Sequence, residues 1–99
     1  MIGCTVDGDI MPVVKGTRGI NEKANRTGIG VVELTLDLPM AAHEYSAQAT
    51  ISEPILSDTT IVLSKTYING VAKITVKTFA GGVPADLDFD VTGMRYTQG

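Results

Sequence analysis

The sequence has no tryptophan, two phenylalanines, one cysteine and one histidine among its 99 residues. With Cys4 alone, no disulfide can close within the chain, and nothing marks an oxidising compartment. The lack of tryptophan weakens any sugar-stacking role, because aromatic platforms supply most of the contact area in such sites. Uninterrupted apolar stretches are only a few residues long, too short to cross a bilayer as a helix. The start, Met1-Ile2-Gly3-Cys4, has neither the basic residues nor the apolar run of a signal peptide. Basic residues number eight and are scattered, the net charge is −3 and the pI is about 4.9. Nucleic-acid binding runs on clustered Lys and Arg, so this balance argues against it.

What is present points to strands. Val, Ile and Thr together number 31, against six Leu, and β-branched side chains fit a pleated surface better than a helix. Eleven Gly and four Pro supply turns. A length of 99 residues suits one domain with one two-layer core, stabilised by close packing or by association. Val32, Leu34, Leu36 and Leu38 alternate with Glu33, Thr35 and Asp37, the period of a half-buried strand. Tyr45, Ala47, Ala49 and Ile51 repeat the pattern with smaller residues, which places Tyr45 in the core. Asn69-Gly70 between two β-rich runs, 60–68 and 71–79, predicts a hairpin with a type I′ turn. Leu87, Phe89 and Val91 face one way in a last strand, with Asp86, Asp88 and Asp90 opposite; Gly93 marks a bulge or a close approach by another chain. Arg26-Thr27-Gly28-Ile29-Gly30 reads as a glycine-rich turn, 15–19 and 80–85 as loops, and 19–25 as an exposed strand at best. Ile2–Val6 and Ile10–Val14 are short apolar pieces, the second demoted by Pro12 to an edge strand or an arm. The expected fold is all-β: a small antiparallel β-sandwich, jelly-roll-like, over 20–99, with 1–19 as an N-terminal arm or docking segment.

Candidate chemistry is sparse. His43 would need a neighbouring nucleophile and an orienting acid, and no serine sits in a nucleophile-elbow context, so a hydrolase is the weakest reading. Asp7-Gly8-Asp9 resembles the start of a calcium loop, but Met11, Pro12 and Arg18 occupy the fifth, sixth and twelfth positions, where an oxygen ligand, Gly and Glu are needed. The Asp86, Asp88 and Asp90 row must be offset: Lys73 and Lys77 on the preceding strand are the first candidates, a divalent cation at a subunit axis the second. Tyr67 and Tyr96 lie near strand ends, where exposure is expected. No metal cluster, phosphate-binding glycine loop or catalytic pair is present, so no enzyme and no cofactor are expected.

The order Arg26-Thr27-Gly28-Ile29-Gly30, alternating strand, Pro39-Met40, a strand opening at Tyr45, then 74–79 and the 82–91 ending resembles the C-terminal head module of tailed-bacteriophage fibres. The likeness spans about Gly19 to Tyr96. It implies a homotrimer on the virion surface, in contact with other phage structural proteins and with host cell-surface glycan, without nucleic acid or membrane as partners. The chain is little more than the head module, with neither a fibrous shaft nor an attachment domain, which shifts the expectation to a stand-alone virion surface protein. Scaffold-mounted loops usually hold binding residues, so the ligand-binding candidates are Tyr67, Ser57, Asp58, Gly81 and Gly82. The competing reading is a capsid or tail decoration protein that docks through Ile2, Val6, Ile10, Val13 and Val14, adding a strand to a neighbour's sheet.

Overall fold

The computed structural model describes residues 2–8, 11–37, 41, 44–52 and 59–95, and of residue 22 the backbone. Among these residues there are nine strands: β1 (Ile2–Asp7), β2 (Val13–Arg18), β3 (Ile20–Gly28), β4 (Val31–Leu36), β5 (Tyr45–Ile51), β6 (Thr59–Ile68), β7 (Val71–Ala80), β8 (Val83–Pro84) and β9 (Phe89–Arg95). They form two antiparallel sheets. One runs β2-β1-β9-β5; the other runs β3-β4-β7-β6, with β8 on β7.

Alternation decides which face each strand buries. Ile2, Cys4 and Val6 of β1 stand beside Phe89 and Val91 of β9, and Tyr45 of β5 joins them; all are buried. Facing them are Val32, Leu34 and Leu36 of β4 and Ala72, Ile74 and Val76 of β7. These residues make one continuous core, so the sheets pack in a sandwich-like pair. Gly93 is small because β5 of the same chain crosses it: a Cβ there would collide with the Ser46 carbonyl oxygen.

The expected I′ turn is present, with Asn69 and Gly70 both at positive φ (53° and 76°). Such two-residue turns force successive strands to pair within a sheet. The hairpins β3–β4 and β6–β7 therefore each stay in one sheet; β1 and β2, joined by residues 8–12, also pair, and β9 closes the first sheet between β1 and β5. That differs from the two Greek keys of a jelly roll.

Other boundaries also differ from the sequence reading. Residues 15–18 are strand, because the free edge of β1 takes them; the surplus residue is absorbed at Gly16, at φ 62°. Residues 1–19, expected as an arm, supply β1, at the centre of the first sheet, and β2, at its edge. Residues 26–28 extend β3, and the turn itself is only Ile29-Gly30. The 80–85 loop contains a second tight turn, Gly81-Gly82, leading into β8. Asp86 and Asp88 precede β9 rather than lying in it.

Candidate functional site

The carboxylate row is taken apart by the fold. Asp86 accepts from Arg26 Nε (3.1 Å) and Nη2 (2.8 Å) and from the Gly30 amide (2.7 Å). Asp88 accepts from the Gly8 amide (2.8 Å), and Asp90 from the Thr5 hydroxyl (2.9 Å). Lys73 and Lys77 are not the partners. They stand on the outer face of β7, in the opposite sheet, where Lys73 reaches Glu33 at 3.1 Å. Sequence adjacency suggested a cross-strand pair; the chain instead changes sheets between β7 and β9.

Around Asp86 a polar node joins three segments. The Thr78 hydroxyl, buried, donates to the Ala85 carbonyl; the Ala85 amide returns a bond to the Thr78 carbonyl at 3.1 Å, and the Thr78 amide donates to the Gly30 carbonyl at 2.8 Å. Gly30 sits at φ 70°, and a Cβ there would lie within 2.9 Å of the Thr78 and Ala85 backbones. The Arg26 guanidinium and the Gly30 amide hold the Asp86 carboxyl below the ordinary aspartate range. The two motifs most distinctive in the sequence, 26–30 and 85–86, thus meet in space, and the chemistry they perform there is structural.

A second cation stands on the core-facing register. Lys65 of β6 is opposite Ile74, yet its ammonium reaches the edge of β5: Nζ donates to the Tyr45 carbonyl at 2.7 Å and lies 4.8 Å from the Tyr45 ring centroid. It ties the adjoining edges of the two sheets. Burial raises the Tyr45 phenol above its ordinary value. Burial also pushes the Cys4 thiol up to about 11, with the Asp90 charge adding to it, so Cys4 is an inert core residue.

The binding candidates fall in three groups. Tyr67 is 46% exposed at the tip of the β6–β7 hairpin, and Gly81 and Gly82 form an exposed turn at the other end of β7. Ile2 and Val6 are in the core, Val14 packs against it, and Val13 is exposed on β2. Ser57, Asp58, Ile10, His43 and Tyr96 lie outside the described residues. Among the described residues no group of three or more His, Cys, Asp or Glu could hold a metal ion.

Exposed large apolar residues beyond those candidates are Met11, Ile29, Val62, Ile68, Val71, Val83 and Met94, of which Val62, Ile68 and Val71 lie on the β6–β7 hairpin. Their signal was present: β6 carries Ile61-Val62 and Tyr67-Ile68, apolar residues on both faces of one strand. Ile68 and Val71 border a groove of about 440 Å³ on the outer face of the second sheet, with Glu33, Thr66, Asn69 and Lys73 around it. A shallower trough of about 600 Å³ crosses the outer face of the first sheet over Gly3 and Gly16, between Arg18 and Asp90. No protein family, characterised protein or solved structure matches the chain.

Proposed function

We propose that this chain is a non-enzymatic surface protein of a bacteriophage particle, similar to a fibre head module, working as a homotrimer and contacting a host cell-surface glycan. The observation that carries the binding role is the β6–β7 hairpin tip. It presents Tyr67, Ile68 and Val71 to solvent on a strand pair whose turn is locked by Asn69 and Gly70. Exposed apolar residues clustered on a rigid element mark a contact surface. The resemblance to fibre heads supplies the particle and the trimer. The pairing of Arg26 with Asp86 gives the motifs behind that resemblance a shared structural reason. Decoration through a free arm finds no support, since docking by Ile2 and Val6 would require pulling β1 out of its sheet.

The test is binding of fluorescent protein to bacterial cells and to their purified surface polysaccharides, with light scattering for the mass. The reading expects saturable binding, lost on Tyr67→Ala with Ile68→Asp, by a particle of about three times 10.4 kDa. A monomer that binds neither cells nor polysaccharide overturns it.

A further inference from the structure

The four sheet edges are not alike. β2 and β3, on one side of the molecule, carry the devices that discourage a further strand. Pro12 precedes β2, a bulge at Gly16 breaks its register, and Lys15 and Arg18 flank that bulge. β3 has two register irregularities and carries the exposed Lys23. β5 and β6, on the other side, carry almost none. Neither contains a carboxylate, a proline or a glycine, and the pair has a single cation, Lys65. That cation is turned inward onto the Tyr45 carbonyl instead of guarding the strand's flank. Among the described residues β5 pairs only with β9 and β6 only with β7, and β6 pairs without a register break over all ten of its residues.

We propose that the β5–β6 side is where copies of this chain meet, a neighbouring copy adding a strand along the free edge of β6. This rests on the association part of the proposed function and names its surface. The occupant follows from charge. The chain as a whole is at −3, so two copies carry net charge of the same sign. The β5–β6 side has no acidic residue in its strands, and its one ammonium is held within the protomer. A second copy therefore meets no like charge along the two strands themselves. Outward-facing Val62, 53% exposed, flanks the edge with apolar area to bury, and Thr60, Ser64 and Thr66 offer hydroxyl pairs across a new ladder.

The test compares solution masses across a concentration series for the wild type, for Val62→Lys with Ser64→Lys, and for Asn25→Lys with Thr27→Lys as an equally charged change on the β3 edge. All four positions are exposed. The expected result is a wild-type multimer, unchanged in the β3 variant and reduced to 10.4 kDa in the β6 variant. Hydrogen exchange on the wild type provides a measure free of mutation: β6 amides should gain protection with concentration while β3 amides do not. A multimer that survives the β6 changes, with β6 exchange independent of concentration, overturns the edge and leaves association standing. A wild type of 10.4 kDa at every concentration overturns both.

Discussion

The carboxylate of Asp86 receives donors from a side chain and from a turn, and each contact crosses from one segment of the chain to another far away in sequence. Arg26 and Asp86 are both about four-fifths buried, so the pair is only partly screened by water. Asp86→Asn removes the charge while keeping one acceptor for the Gly30 amide. Hydrogen bonds to charged groups contribute about 1.5–3 kcal/mol; with the remaining exposure discounted, the variant is expected to lose about 1–2 kcal/mol in urea unfolding. The sign of the pH dependence follows from the lowered folded-state value. The folded protein binds the Asp86 proton less tightly than the unfolded chain, so this contribution is present above the ordinary aspartate value of about 4 and is lost as pH falls below it. The melting temperature of wild type should therefore drop more steeply than that of Asp86→Asn between about pH 4 and pH 2. Parallel curves would remove Asp86 as the cause. Residues 26–30 and 85–86 stood out in the sequence, but their pairing did not, because neither motif states which of eight cations meets which carboxylate.

Strands were the most legible level. The alternations in β4, β5 and β9, and the turn at Asn69-Gly70, followed from period and turn chemistry alone, and their buried faces agree with the structure from Val32 to Val91. β2 was legible only in part: Val13 and Val14 belong to the piece expected as an edge strand or an arm, but Lys15-Gly16-Thr17-Arg18 has no apolar alternation and is strand because β1 offers it hydrogen-bond partners. β1 is legible as an apolar piece, but its sequence does not distinguish an arm from a central strand. Its actual position, between β2 and β9 with Ile2, Cys4 and Val6 in the core, makes it indispensable. Deleting residues 1–14 exposes the edge of β9 and removes Ile2, Cys4 and Val6, half of the buried residues on the inner face of its sheet, at about 2–5 kcal/mol for each large side chain lost. The truncated chain is expected to show no dispersed amide spectrum and no cooperative melt. A folded truncation would instead restore the arm.

At the scale of the whole molecule the first and last described strands are neighbours: Ile2 pairs with Gly93 and Val6 with Phe89. The second sheet likewise depends on β4 meeting β7, about 40 residues onward. Loop closure over such separations must precede the contacts that reward it, so folding is slow for a chain of this length. Refolding from urea, followed by tyrosine fluorescence, is expected in milliseconds to seconds; microsecond relaxation would contradict the topology. The same geometry leaves the edges unequal. Charged and bulged β2 and β3 lie on one side, neutral β5 and β6 on the other, and solution mass is the property that responds to this difference.

By itself the sequence determined the class of structure, because period-two alternation, β-branched composition and turn residues act over a few neighbours. It also determined which residues face inward wherever apolar and polar positions alternate cleanly. Which strands share a sheet, which carboxylate each cation meets, and whether β1 is an arm or a central strand were decided by tertiary structure. Those outcomes depend on pairings between segments up to the full chain length apart, and the energy of such pairings lies in the contact itself rather than in either segment alone.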